Sequence, residues 1–186
     1  NHVGDAKNVG LGIVAPDGRE GMLQHAREFR EAGIPFVFDP GQGLPMFNGE
    51  ELLNFVELAD YVALNDYEAQ LLQERTGQKI EQLAKLVKAL IVTRGGQGSE
   101  IYADGQRHEI PCVKAQEVVD PTGCGDAYRA GLLYGIARGM DWQITGRLAS
   151  LLGSVKIASR GGQNHTLARE ELHSRFKEHF GMNLEG

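Results

Sequence analysis

Short apolar runs alternate along the chain with longer segments in which apolar residues recur every three or four positions. The short runs, bounded by Gly, Pro or Asp, predict buried strands, and the longer spacing predicts amphipathic helices. Strands are predicted at 8–15, 35–39, 61–64 and 89–93, with a hairpin of 99–103 and 106–113 around Asp104-Gly105. Helices are predicted at 21–32, 48–58, 66–76, 80–88, 127–140, 142–159 and 168–180. This alternation predicts an α/β fold, with a mainly parallel sheet and helices on both faces.

Composition narrows the class of protein. The 186 residues suffice for one domain with a sizeable core, and a net charge of −6 without a basic run argues against nucleic-acid binding. No apolar stretch has the length of a membrane span, and no signal peptide is visible. The two cysteines, Cys112 and Cys124, suit a reduced cytoplasmic protein better than a disulfide. The chain opens on Asn1-His2-Val3 without Met, so we expect it to be a piece of a longer protein.

The residues 118–131 predict a strand end at 118–119, a tight turn and then a helix. Pro121 stops the strand because it has no ladder donor, and Gly123 and Gly125 let the backbone turn closely. The free N–H groups and the dipole at the start of the helix favour a bound anion. The sequence therefore predicts an anion site at this turn.

Asp126 lies in the first turn of that helix, where its carboxylate would repel an anion. The pairing has a chemical reason if the carboxylate accepts a proton from a hydroxyl that attacks a bound phosphate. The alternative is that Asp126 only caps the helix and the glycines only form a turn. The spacing alone leaves these two interpretations even.

The segment Asp120-Pro121-Thr122-Gly123-Cys124-Gly125-Asp126 resembles the second signature of the ribokinase-like (PfkB) family of sugar and nucleoside kinases, with Cys124 where Ala is usual. The resemblance implies a three-layer ribokinase-like fold and ATP-dependent, in-line transfer to a primary hydroxyl. It makes Asp126 the catalytic base, and Gly123, Cys124 and Gly125 the anion hole. The similarity of 119–131 and 160–165 to bacterial adenosine kinases implies adenosine as the acceptor, AMP as the product and a role in purine salvage. A sugar kinase of the ribose or fructose phosphate type and a non-catalytic nucleotide-binding fragment stay open.

Two further stretches resemble motifs of the same family. Asn65 and Glu68 match its Asn-x-x-Glu motif, which implies a Mg²⁺–phosphate network that Glu68 joins through water. The alternative for Glu68 is an acid favoured by the helix dipole. The nucleotide loop Thr-x-Gly-x-x-Gly is matched by Thr93, Arg94, Gly95, Gly96 and Gly98. Arg94 is either a phosphate donor or a solvated strand end.

The resemblance also implies a monovalent cation, expected to be K⁺, at Asp120 and Thr122, with carbonyls of 159–163 completing the site. Ser150 matches a position near the adenine base, or is a small packing residue. The six histidines show no metal-ligand spacing, so a zinc site is not expected.

Only the C-terminal part of the family fold is matched, so residues 1–186 are interpreted as the nucleotide-binding part of a ribokinase-like kinase domain. The family's first signature and its β-lid, which grip the substrate, are absent from the chain. Activity on a small-molecule nucleoside or sugar is therefore expected to need the N-terminal part. No membrane partner is expected, and a homodimer stays open.

Overall fold

The computed structural model describes residues 2–115, 117–161 and 167–184. The chain forms two compact units. The first, here named the sheet unit, comprises residues 1–94 and 100–108. The second, named the helical unit, comprises residues 95–99 and 109–186.

A sheet of six strands in sequential order, β1 to β6, dominates the sheet unit. The strands are β1 (Gly12–Val14), β2 (Phe36–Phe38), β3 (Tyr61–Asn65), β4 (Ala89–Thr93), β5 (Ser99–Ala103) and β6 (Gln106–Ile110). The first four pair in parallel, and the register sets Asn65 beside Thr93 at the ends of β3 and β4. Asp104 and Gly105 have φ of 53° and 73°, as a two-residue hairpin turn between β5 and β6 requires. The sheet is therefore mixed, and the prediction of a mainly parallel α/β sheet is confirmed.

Helices connect the parallel strands, and local signals set their ends. They are α1 (Arg19–Glu31), α2 (Gly49–Leu58), α3 (Asp66–Thr76) and the short α4 (Ile80–Leu83). The side chain of Asn48 accepts from the N–H of Glu51 and so caps α2, as predicted. Gly77, with φ of 69°, ends α3. The core beneath them is apolar, and the rings of Phe38 and Phe55 stack 4.5 Å apart.

The helical unit contains α5 (Cys124–Arg138), α6 (Trp142–Ile157) and α7 (Arg169–Phe180). α5 and α6 pack closely because glycines face the contact. A Cβ on Gly131 would lie 2.6 Å from the Cα of Ala149, and a Cβ on Gly135 would lie 2.5 Å from the Oγ1 of Thr145. Both distances are too short for any larger residue without movement of a helix. These glycines therefore fix how α5, which carries the predicted site, lies against α6.

Several predicted elements differ from those observed. The strand predicted at 118–119 is wrong, because the N–H groups of Val119 and Asp120 both donate to the carbonyl of Ile157 at the end of α6. Val118 is 73% exposed, as expected for a residue outside the sheet. The helix predicted at 80–88 is limited to α4, followed by a 3₁₀ turn over Ala84–Leu86. The predicted loop at 160–165 lies mostly outside the described residues.

Candidate active site

The predicted anion turn lies at the start of α5, and a left-handed glycine shapes it. Gly123 is the residue before the helix and has φ of 79°. The N–H of Cys124 donates to the carbonyl of Pro121 at 3.2 Å, and the N–H of Ala127 donates to that of Gly123 at 2.9 Å. The N–H groups of Gly125 and Asp126 have no hydrogen-bond partner among the described residues. The donors available for an anion therefore include those of Gly125 and Asp126, and the N–H of Cys124 helps to close the turn. The anion hole of Gly123, Cys124 and Gly125 stays a prediction.

Asp126 occupies the third position of α5, and its side chain is exposed. An exposed carboxylate beside two outward N–H groups can accept a proton from a hydroxyl while the N–H groups bind the group under attack. This is the arrangement that phosphoryl transfer requires.

Arg129 follows Gly125 by one helical turn and was not among the predicted site residues. Its Nη1 lies 2.6 Å from the place where a Cβ on Gly125 would be. The absence of a side chain at Gly125 therefore lets a guanidinium lie against the turn, where it adds positive charge. Sequence offered one signal, a basic residue one turn after the glycine pair.

Cys124 has a partly buried thiol whose pKa is raised, chiefly by burial. A raised pKa keeps the thiol protonated and neutral at pH 7. The thiol therefore adds no negative charge to the turn.

Asp120 anchors the front of the turn with both carboxylate oxygens. Oδ1 accepts from the N–H of Thr122 at 2.9 Å, and Oδ2 accepts from the N–H of Gly161 at 2.9 Å. Hydrogen bonds from these two backbone groups hold the pKa of Asp120 at about 2. Asp120 and Thr122, predicted together as cation ligands, thus form one hydrogen-bonded group.

Lys156, near the end of α6, is a second residue that sequence analysis missed. It has no solvent exposure, and its Nζ donates to the carbonyls of Asp120 at 3.3 Å and Ser159 at 3.1 Å. The ammonium also lowers the pKa of Asp120. A charged residue inside a helix of very low charge was the available signal.

The predicted nucleotide loop divides between the two units. Gly95, Gly96 and Gly98 belong to the helical unit. Gly98 has φ of 90°, and a Cβ added to it would lie only 2.1 Å from the carbonyl oxygen of Ile110. Ser99 follows the loop, and its hydroxyl forms a 2.7 Å hydrogen bond with that of Tyr128 on α5. The end of the glycine loop is therefore tied to the helix that carries Asp126.

Tyr128 has a pKa raised to about 12, chiefly by burial. It is therefore neutral at physiological pH and holds the loop through a hydrogen bond between two neutral hydroxyls.

Arg94 forms an ion pair within the structure, and its role as a phosphate donor stays a prediction. Its Nη2 lies 3.0 Å from the Oε1 of the buried Glu100, and Nη2 of Arg107 lies 2.6 Å from the same oxygen. The hydroxyl of Tyr102 donates to the other oxygen at 2.7 Å, and burial raises the pKa of this tyrosine to about 12. The guanidinium of Arg94 therefore balances a buried carboxylate.

Asn65 and Glu68 form a reciprocal cap at the start of α3. The Oδ1 of Asn65 accepts from the N–H of Glu68, and the two oxygens of Glu68 accept from the N–H and the Nδ2 of Asn65, each at 2.8 Å. Glu68 is only 6% exposed. Beside them, the hydroxyl of Thr93 donates to the carbonyl of Leu64 at 3.3 Å. The ends of β3 and β4 therefore hold these three predicted residues in fixed positions.

Ser150 has a structural partner on both sides of its hydroxyl. The hydroxyl oxygen accepts from the N–H of Val113 at 3.0 Å, and the hydroxyl O–H donates to the carbonyl of Pro111 at 2.9 Å. These bonds join α6 to the segment after β6. Its predicted place near the adenine stays a prediction.

Metal-binding clusters and membrane-spanning helices are absent from the described residues. Within residues 2–115, 117–161 and 167–184, no three His, Cys, Asp or Glu side chains are grouped so that they could hold a metal ion. No helix in these ranges is long and apolar enough to cross a membrane.

A cavity of about 480 Å³ between α5, α6 and α7 is lined by Tyr134, Leu148 and Leu172 among others, and by none of the predicted site residues.

The family model and the relatives that match this chain all indicate the same family of kinases. The model of the pfkB family of carbohydrate kinases matches residues 3–169. A nucleoside kinase of Methanocaldococcus jannaschii is 36% identical over 142 residues, which are 76% of this chain and 47% of that protein. A nucleoside kinase of Methanothermobacter thermautotrophicus is 34% identical, over 82% of this chain and 49% of its own length.

Among solved structures, the nucleoside kinase of Burkholderia thailandensis in complex with inosine matches with a TM-score of 0.96 and 52% identity. The match covers 98% of this chain and 60% of that one. The same enzyme in complex with ADP-inosine matches equally well. The chain spans about half the length of these curated relatives. By its sequence and its fold, the chain belongs to the pfkB family of carbohydrate kinases.

Proposed function

We propose that this chain is the C-terminal, nucleotide-binding part of an ATP-dependent nucleoside kinase. The observation that carries the proposal is the turn at the start of α5. It combines the left-handed Gly123, outward N–H groups at Gly125 and Asp126, and an exposed carboxylate on Asp126. Nucleoside kinases at 52% and 36% identity support the reaction class.

In the proposed reaction the terminal phosphoryl group of ATP passes in line to a primary hydroxyl of the nucleoside. The carboxylate of Asp126 takes the hydroxyl proton as the oxygen attacks phosphorus, and the bond to the ADP oxygen breaks. The N–H groups of Gly125 and Asp126 stabilise the charge on the transferring group, and Arg129 adds positive charge beside them. Gly95, Gly96 and Gly98 are proposed to let the backbone lie close to the nucleotide.

The residues at the start of α3 fit a role beside Mg²⁺. The carboxylate of Glu68 accepts hydrogen bonds from the N–H and the Nδ2 of Asn65, which hold the group in one orientation. Mg²⁺ prefers oxygen ligands and keeps several waters when it accompanies nucleotide phosphates. Glu68, with Asn65, is therefore proposed to meet it through water. Mg²⁺ would supply neutralisation of phosphate charge.

Adenosine is the proposed acceptor, which would give AMP and ADP and place the enzyme in purine salvage. Inosine is a second candidate, because the Burkholderia thailandensis relative has been solved with inosine. Sugar acceptors stay in the test because the matching family model is that of carbohydrate kinases. A nucleotide-binding role without turnover also stays in the test, because about half of the curated relatives' length is matched.

The test is ADP release by the full-length kinase that carries this chain, with adenosine, inosine, ribose and fructose 6-phosphate offered separately. Turnover with a nucleoside and little with either sugar supports the proposal, and the ratio of kcat/KM for adenosine and inosine selects the acceptor. A preference for a sugar would replace the substrate. Tight ATP binding without turnover on any acceptor would leave only a binding role.

A further inference from the structure

The end of α6 and the front of the anion turn are joined by a dense set of hydrogen bonds. The carbonyl of Ile157 accepts from Val119 and Asp120, and the N–H of Gly161 donates to Asp120. Inside this group lies the ammonium of Lys156, between the carbonyls of Asp120 and Ser159. The cation therefore lies where the chain before the anion turn meets the chain after α6.

This environment suits a cation in three ways. Two carbonyl oxygens accept from Nζ, the carboxylate of Asp120 supplies a nearby negative charge, and the C-terminal end of α6 directs its dipole toward the same place. A buried charge without such partners would be strongly unfavourable. Oxygen groups of this kind are also the ligands that replace the hydration shell of K⁺.

The family resemblance predicts a monovalent cation at Asp120 and Thr122, completed by carbonyls of the following loop. The described residues do not fit a bound ion, because the carbonyls of Asp120 and Ser159 are already occupied by Nζ of a fully buried lysine. We propose that the ammonium of Lys156 takes the place of a monovalent metal ion and fixes the anion turn, so that the kinase needs no K⁺. Lys156 is thus a positioning residue that acts through Asp120. The inference rests on the proposed function in one respect, that the turn it fixes binds the transferring phosphoryl group.

Two substitutions separate this role from simple packing. Lys156→Ala removes the charge and leaves space for an ion among the oxygens. Lys156→Met also removes the charge but fills the space with an apolar chain of similar length. Lys177→Met, at an exposed position on α7, is the matched control for the loss of one lysine.

The first measurement is the thermal unfolding temperature of the full-length kinase in tetramethylammonium, Li⁺, K⁺ and NH₄⁺ chlorides at equal ionic strength. It needs no turnover, so it can succeed or fail independently of the proposed function. We expect K⁺ and NH₄⁺ to raise the unfolding temperature of Lys156→Ala above that in tetramethylammonium. We expect no such selective rise for wild type, Lys156→Met or Lys177→Met.

The second measurement is kcat under the same salts, with the acceptor that wild type prefers. Lys156→Ala should lose about 10–100-fold in tetramethylammonium, as when a group that orients a site from behind is removed, and should recover with K⁺ or NH₄⁺. The kcat of wild type should differ by less than about twofold between these salts, which is small beside the loss of about 10–100-fold expected for Lys156→Ala.

Selective activation or stabilisation of wild type by K⁺ would overturn the inference, since an ion would then bind beside the lysine. Failure of K⁺ and NH₄⁺ to act on a folded Lys156→Ala would overturn it as well. If neither variant folds, the response of wild type alone decides between the two accounts.

Discussion

Replacing Gly131 by alanine should destabilise the contact between α5 and α6. The new Cβ would lie 2.6 Å from the Cα and 2.9 Å from the N of Ala149, so a backbone would have to move. Overpacking of this kind costs about 1–3 kcal/mol, and the rigidity of a backbone neighbour favours the upper end. Alanine also improves helix propensity over glycine by about 1 kcal/mol, so the expected net loss is about 2 kcal/mol.

Gly153→Ala, in the interior of α6, is the matched control. Its Cβ would lie 3.5 Å from the carbonyl oxygen of Cys124 and 3.9 Å from the Cβ of Tyr128, which are ordinary contact distances. It should therefore gain about 1 kcal/mol from propensity alone. Because this gain is common to both variants, the difference between them isolates the overpacking cost of about 3 kcal/mol.

The assay is urea denaturation of the full-length kinase, followed by circular dichroism, with equal m-values for wild type and both variants as a check. Equal stability of Gly131→Ala and Gly153→Ala would refute the close approach of the helices at Gly131. If the kcat of Gly131→Ala also falls at temperatures where the variant stays folded, this would indicate that α5 has moved together with its turn.

Three further predictions concern the loop, the turn and the end of α6. Gly98→Ala should lower the free energy of unfolding, measured by urea denaturation, by about 3 kcal/mol, because of its positive φ and the nearby carbonyl of Ile110. Gly96→Ala has open space around the new Cβ, so its free energy of unfolding should stay within about 0.5 kcal/mol of wild type. For Asp120 the folded pKa, about 2, lies below the unfolded value near 3.9, so its stabilisation is complete above about pH 5 and is lost as pH falls toward 2. The gap in unfolding free energy between wild type and Asp120→Asn should follow that curve. Ser150→Ala should lose about 1–2 kcal/mol through its two hydrogen bonds and leave the KM for ATP unchanged, if its role is structural.

Each of these predictions has a contradicting result. Equal costs at Gly98 and Gly96 would mean that the loop does not follow the described path. A gap at Asp120 that is constant from pH 7 to pH 2 would mean that its carboxylate is not held by the two N–H groups. A raised KM for ATP in Ser150→Ala, without loss of stability, would support the predicted place near the adenine.

The parts of the fold that sequence predicted well are those set by local chemistry. Asn48 caps α2 because its side chain reaches a backbone N–H three residues on, and Gly77 ends α3 because it tolerates a left-handed conformation. Asp104-Gly105 forms its hairpin turn for the same reason. Such signals are contained in a few neighbouring residues, so they are visible without the fold.

The parts that sequence missed depend on residues far apart in the chain. Val118 and Val119 have strand propensity, but the segment pairs with the end of α6. The partners of Lys156 include Asp120, which lies 36 residues earlier. The ion pair between Arg94 and Glu100 could not be predicted from the nucleotide motif that Arg94 matches. No local pattern indicates which distant group will share a buried charge.

Phosphoryl transfer from ATP to adenosine by the full-length kinase and its Asp126→Asn variant tests the proposed base directly. The kcat of the variant should fall about 10²–10⁴-fold while its affinity for ATP is kept, because the base is lost and the turn stays. Asp104→Asn, in the hairpin, is the control and should keep wild-type kcat. Wild-type turnover by Asp126→Asn would contradict the assignment of Asp126 as the base at the anion turn.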